Sequence, residues 1–168
     1  YKMLPGSSDD LKVLEINVEE QATGEIMAGA GVGTDGTTFQ FAVSENNWLG
    51  KGVKLQTALN LSTEQISGNI LINNPNYNFS DKSLKAGIDI SSTDRSDTSG
   101  FESSKTGFVL GTGFEQYEDL FFTPEIDVLF EDIEVDSSAS KAIKDMAGNF
   151  FNVDFTYGLI LDKRNQSF

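Results

Sequence analysis

Phe151-Asn152-Val153-Asp154-Phe155-Thr156-Tyr157-Gly158-Leu159-Ile160-Leu161 sorts into two sets with a period of two. Phe151, Val153, Phe155, Tyr157, Leu159 and Leu161 fall on one side; Asn152, Asp154, Thr156, Gly158 and Ile160 fall on the other. A helix would scatter these residues around its circumference, whereas a strand places them on two faces. Val53, Leu55, Thr57, Leu59 and Leu61 stand in the same way against Lys54, Gln56, Ala58, Asn60 and Ser62. So do Phe39, Phe41 and Val43 against Gln40, Ala42 and Ser44, and Leu84, Ala86, Ile88 and Ile90 against Lys85, Gly87, Asp89 and Ser91. Ile126, Val128 and Phe130 oppose Glu125, Asp127 and Glu131, and weaker alternation covers residues 26–34, 65–72 and 106–114. The pattern predicts an all-β chain with about eight strands after residue 24, most of the ~9–11-residue length that crosses a bilayer at a tilt. A further short strand is expected over Leu11 to Val18.

The breakers fall between these segments. Thr34-Asp35-Gly36-Thr37 is a two-residue hairpin signal, because Asp-Gly accepts the positive φ of a type I′ turn. Asn46 to Gly52 and Asn73-Asn74-Pro75 read as turns, and Pro124 is expected at the start of its strand, where the missing N–H is tolerated. Only Ser140 to Ala147 reads as helical, within a loop. The one boundary in composition lies near Ala22-Thr23-Gly24, which divides residues 1–22 from a continuous unit over 23–168.

Composition excludes several function classes. The chain has 168 residues with 12 Lys and Arg against 26 Asp and Glu, a net charge of −14. That balance is wrong for a nucleic-acid binder, which needs a basic face. With 0 His and 0 Cys there is no imidazole catalysis, no disulfide framework and no His or thiolate metal site. No run of ~18 apolar residues suggests a membrane helix, and Tyr1 to Gly6 carry no apolar signal-peptide core.

The motifs that could carry chemistry have plainer readings. Gly31-Val32-Gly33-Thr34-Asp35-Gly36 matches G-x-G-x-x-G, but a dinucleotide loop needs a helix after it and here a strand follows. The adjacent acids Asp9-Asp10, Glu19-Glu20, Glu118-Asp119 and Glu131-Asp132 are read as solvated charge, since neighbours on a strand face opposite ways. Asp94 to Gly100 offers oxygen ligands without EF-hand spacing and reads as a polar surface loop. The sequons at Asn60, Asn78 and Asn165 are short enough to arise by chance. No enzyme activity, metal or cofactor is expected.

Alternation alone fits two opposite barrels. A soluble ligand-binding barrel puts the apolar face inside; a transmembrane barrel turns it to lipid around a polar lumen. The second is favoured. The polar faces mix Gly, Ser, Asn and Gln with both charge signs, and the connections alternate in length. Residues 34–37, 62–64, 91–104 and 131–149 lie at one end, two of them long, while modest turns near Asn47, Asn76 and Tyr117 lie at the other. Trp48, Tyr77, Phe79 and Tyr117 fall where an interfacial aromatic girdle belongs. Phe41, Leu55, Leu59, Phe155 and Leu159 are then lipid-facing, and Lys54, Lys85, Asp89, Asp127 and Asp154 face the lumen.

An ordered series of short motifs resembles one family. Val18-Glu19-Glu20-Gln21-Ala22-Thr23-Gly24-Glu25 looks like the junction between the last POTRA domain and the first barrel strand of BamA-type outer-membrane protein assembly factors, with Ala22 in place of the usual residue. Gly29-Ala30-Gly31-Val32-Gly33 is similar to that family's glycine-rich first strand. Ser44-Glu45-Asn46-Asn47-Trp48-Leu49-Gly50-Lys51-Gly52 resembles its Asn-x-x-Gly-x-Gly signature, and Asn74-Pro75-Asn76-Tyr77 its turn after strand four. Tyr157 to Asn165 resembles the Asp-x-Arg-Asn segment around strand eight. The family has several POTRA domains and a sixteen-strand barrel, so this chain would hold the last strand of a POTRA-like domain (1–22) and the N-terminal half of an antiparallel up-and-down transmembrane β-barrel (23–168). Phe168 reads as an interruption, not as the closing residue of a complete barrel.

The resemblance implies a non-enzymatic factor of the cell outer membrane that folds and inserts client β-barrels through a lateral seam. The client-pairing edge would be Ile26, Met27, Ala28, Gly29, Ala30, Gly31, Val32 and Gly33, entered through a junction at Thr23, Gly24 and Glu25. Its partners would be outer-membrane lipids, unfolded outer-membrane protein clients and periplasmic assembly-complex lipoproteins. The rivals are a self-contained eight-strand barrel (porin, adhesin or structural) and the soluble ligand-binding barrel.

Overall fold

The computed structural model describes residues 1–8, 10–33 and 36–164. Asp9, the Thr34-Asp35 centre of the first hairpin turn, the Asn165 sequon and Phe168 lie outside the described residues. Ten strands follow in order: β1 (Lys2–Pro5), β2 (Lys12–Glu15), β3 (Gly24–Gly33), β4 (Gly36–Trp48), β5 (Val53–Ser62), β6 (Gln65–Asn74), β7 (Ser83–Arg95), β8 (Phe101–Tyr117), β9 (Leu120–Val135) and β10 (Gly148–Leu161). β3 to β10 form one eight-stranded antiparallel sheet in strict sequence order. All eight expected strands are present. The sheet has the up-and-down order and strand number that the alternation predicts and the half-barrel form that the resemblance implies, with β3 and β10 as its two edges.

Register explains how the sorting in sequence becomes two faces. One cross-strand row runs Ile26, Val43, Thr57, Ile70, Ile88, Phe108, Val128 and Val153. The adjacent row runs Glu25, Ser44, Gln56, Leu71, Gly87, Val109, Asp127 and Asp154. A slip of one residue in any strand would exchange its faces, and the described ladders shift register only beside two turns, between Glu45 and Trp48 in β4 and between Glu115 and Tyr117 in β8. Phe130 packs against Phe151 with ring centroids 4.9 Å apart, and Phe114 meets Phe122 edge-on at 5.8 Å. These aromatic cross-strand pairs reinforce the register.

The central strand β8 shows which face is enclosed. Ser103, Gly107 and Gly111 are buried on the polar side, whereas Phe108 and Leu110 on the apolar side are 45% and 57% exposed. Among the described residues Val53 is the one buried hydrophobic. A water-soluble barrel would hide these apolar groups, because their exposure forgoes ~25 cal/mol per Å². This sheet does the opposite.

The polar face is close-packed through small residues beneath charged ones. Lys85 Nζ reaches Glu125 Oε2 at 2.7 Å across Gly111, and Lys105 Nζ reaches Glu131 Oε1 at 3.0 Å. Gly107 lies under Asp89, and a Cβ at Gly107 would collide with that carboxylate. Gly107→Val is therefore expected to destabilise the sheet, by less than the ~1–3 kcal/mol of core overpacking because the exposed Asp89 carboxylate can swing aside. Adding Asp89→Ala should recover most of that loss in detergent unfolding curves; a fully additive double variant would remove the steric explanation.

Four expectations need correction. The stretches 91–104 and 131–149 are not long loops. The β7–β8 ladder continues to the Arg95–Phe101 pair and the β8–β9 ladder to Phe101–Val135, leaving α1 (Ser96–Ser99) and the connection 136–147, which carries α2 (Lys141–Lys144). The sequence turns polar on both sides there, which ends the apolar alternation but not the backbone pairing. Pro124 sits inside β9, not at its start: β10 pairs with it through Tyr157, but the β8 ladder passes from Gly111–Glu125 to Phe114–Phe122, skipping Pro124. Its missing N–H faces that gap. The strand expected over residues 11–18 is confined to Lys12–Glu15 and pairs with β1, which the sequence did not signal. Finally, Glu118 and Asp119 lie in the β8–β9 turn and not on a strand.

Candidate functional site

β3 spans Gly24–Gly33, pairs with β4 from Gly24–Glu45 to Gly33–Gly36, and has no second strand neighbour among the described residues. Ile26, Ala28, Ala30 and Val32 share the apolar face with Phe41, to which Ala28 is directly opposed. Glu25, Met27, Gly29, Gly31 and Gly33 share the polar face. The strand is narrow on both sides. A Cβ added at Gly29 or Gly33 would meet nothing within 4 Å, so no packing need demands glycine at those two positions.

The junction Thr23-Gly24-Glu25 is more elaborate than the sequence suggested. The Thr23 hydroxyl donates to Glu45 Oε1, and the same oxygen accepts the Asn47 N–H at 2.7 Å. The Thr23 carbonyl accepts both the Asn46 N–H at 3.1 Å and Asn46 Nδ2 at 2.9 Å. Gly24 makes room for this arrangement: a Cβ there would stand 2.6 Å from Glu45 Oε2 and 3.0 Å from the Ser44 carbonyl. Glu45 and Asn46 are thus site residues that the sequence reading quoted only as parts of a turn. The signal lay in a Thr-Gly pair and a Glu-Asn pair that hairpin register brings together.

The β4–β5 turn beside them is equally determined. Leu49, Gly50 and Gly52 have φ of 58°, 68° and 66°, and Asn47 Oδ1 accepts the Gly52 N–H at 2.7 Å. Glycine relieves the strain at two of those three positions. The β6–β7 turn uses asparagine in the same way, Asn74 Oδ1 accepting from Asn76 N–H at 3.1 Å and Asn76 Oδ1 from Asp81 N–H at 3.2 Å. Trp48, Tyr77, Phe79 and Tyr117 all lie at this end of the sheet and are exposed.

Phe41 and Leu59 are direct cross-strand neighbours, and Leu55 and Phe155 belong to one row through Ile72, Ala86, Leu110 and Ile126. Leu159 joins the same face opposite Phe122. Phe155 and Leu159 are 64% and 62% exposed. Lys54, Lys85, Asp89, Asp127 and Asp154 occupy the other face. Past the far edge, Arg164 Nε donates to Asp162 Oδ1 at 2.7 Å, and the guanidinium holds the Asp162 carboxyl down to about 2. Asp162 N–H also donates to the Asp119 carbonyl at 2.9 Å, tying the end of β10 to the β8–β9 turn.

The model for the Omp85 superfamily domain matches residues 47–168, from the β4–β5 turn through β10 and beyond. The chain belongs to the Omp85 superfamily. Among solved structures, BamA from Haemophilus ducreyi lacking POTRA domains 1–3 is similar in fold, with a TM-score of 0.59 at 18% sequence identity. The superposition covers 89% of this chain and 32% of that one, so the chain spans about a third of that relative's length. The BamA-like half-barrel expected from the motifs is therefore the observed fold. β3 and the junction precede the matched Omp85 residues but continue the same sheet without a break.

Proposed function

We propose that this chain forms the N-terminal half of an Omp85 outer-membrane assembly barrel that offers β3 to incoming client strands. The carrying observation is a ten-residue edge strand, Gly24–Gly33, paired on one side only among the described residues, in a sheet whose apolar face is turned outward. Backbone groups without partners in hydrocarbon cost several kcal/mol each, so such an edge must be weakly paired or awaiting a strand. An extended client segment would satisfy it by β-augmentation, with main-chain hydrogen bonds supplying affinity. The apolar set Phe41, Leu55, Leu59, Phe155 and Leu159 meets lipid. Residues 1–22 act as the end of a preceding POTRA-like domain. Clients, outer-membrane lipids and periplasmic lipoproteins are the partners, and no bond-making chemistry is involved.

The direct test places a photo-crosslinking side chain at Ala28 or Ala30 of the full-length protein in cells. Client adducts are expected there and not at Ile70, in the middle of the sheet; equal capture at Ile70 would remove the edge from the mechanism. Sidedness has its own check. Cysteines at Ser96 and Ser138 should react with an impermeant maleimide on intact cells, because the β7–β8 and β9–β10 connections lie outside. Labelling only after the outer membrane is broken would reverse the topology.

A further inference from the structure

β3 is anchored at Thr23, immediately before its first residue, and carries little side-chain support toward its far end. At the junction end, the Thr23 carbonyl accepts two bonds from Asn46, and the Thr23 hydroxyl is bound by Glu45, whose carboxylate is fixed in turn by the Asn47 N–H. Asn47 closes the network onto Gly52 N–H at 2.7 Å. Among the described residues the one side-chain bond along Gly29–Gly33 is Thr38 Oγ1 to the Gly31 carbonyl at 3.4 Å, a weak contact, and Gly29 and Gly33 present no side chain to pack. Glycine also retains more backbone freedom to lose on ordering.

We infer that Glu45 and Asn46 are positioning residues that divide the seam edge into a pinned half, Gly24–Ala28, and a compliant half, Gly29–Gly33, and that a client strand pairs first with the pinned half. The inference rests on the proposed role of β3 as the client edge. Adding a strand to an ordered template loses less conformational entropy than adding it to a fraying one. The first hydrogen bonds therefore form beside the junction, fix the register there, and propagate toward Gly33. The partner this recognises is an extended backbone, read by its N–H and C=O groups and not by its side chains.

Two measurements on the full-length protein in lipid nanodiscs test this. In hydrogen exchange, amides of Glu25–Ala28 should be protected about tenfold more than those of Gly29–Gly33, the effect of a few hydrogen bonds. Glu45→Ala with Asn46→Ala should remove the gradient. Glu45→Gln, which keeps an acceptor for Thr23 and Asn47, should preserve it, so a failure to fold in the double variant does not end the test. In the second measurement, an arrested client with a single cysteine is trapped against thiols at Met27 or Gly31. Early trapping at Met27 is expected, with the preference lost in the Glu45→Ala variant. Uniform protection, or a preference for Gly31, would overturn the inference while leaving β3 as the edge. No trapping at either position would remove the proposed function itself.

Discussion

Leu59→Arg is expected to cost the sheet about 2–4 kcal/mol in a bilayer, while Asn60→Arg, one residue along, should cost less than about 1 kcal/mol. Leu59 lies midway along β5 on the apolar face between Phe41 and Gly68, and is 43% exposed. Asn60 points to the opposite face, where Asn60 Nδ2 reaches Ser67 Oγ at 3.4 Å among other polar groups. In water the arginine at 59 would be nearly neutral, since the side chain is not in a core. In lipid it must bring a charge into hydrocarbon or distort the bilayer around it. Folding titrations of the two variants in vesicles read the difference directly. If Asn60→Arg proves the costly substitution, the apolar face encloses the interior and the membrane reading is wrong.

A disulfide between a cysteine at Ala28 and one on the strand that faces β3 across the seam of the full-length protein should reduce client insertion to background. Reductant should restore it. The segment contains 0 Cys, so it adds no competing thiol. The tether leaves the β3–β4 ladder intact, and heat-modifiable mobility on gels should show a folded barrel in both redox states. The expected loss is large because the bond closes off the outer row of backbone donors and acceptors of β3, which no side-chain substitution does. A tethered protein that inserts clients at the normal rate would show that strand pairing at β3 is not a step in the process.

The sheet was legible in the sequence because its faces are chemically unlike. Phe151 to Leu159 alternates without interruption, and β10 pairs over that whole stretch. The strand ends were less legible. Ser92, Thr93, Asp94 and Arg95 offer no apolar alternation, yet Arg95 still pairs with Phe101, because a ladder needs backbone groups and not hydrophobic side chains. Pro124 misled for a related reason: its cost depends on which neighbour its nitrogen faces, and that is a property of register. The edge itself could be placed from the Thr23-Gly24 junction and the glycines that follow. The contacts that steady it could not, since Thr23 and Glu45 are 22 residues apart and meet only after the hairpin has folded.

The connection at Ser96–Ser99 is a locked corner. Gly100 turns left-handed at φ 74°, its N–H bonds back to the Arg95 and Ser96 carbonyls, its own carbonyl accepts Asp136 N–H at 2.8 Å, and a Cβ there would strike Ala139 at 3.0 Å. Inserted residues would have to break this corner, and they would shift two ladders at once. Of the twelve positions from 136 to 147, Asp136 and Ala139 belong to this corner, while the hydrogen bonds of residues 140–147 stay within the connection, around the single turn at Lys141–Lys144. Drift in length and composition among descendants of this chain should therefore concentrate in that one segment, which makes it the place where lineages become distinguishable and the first place to graft an epitope.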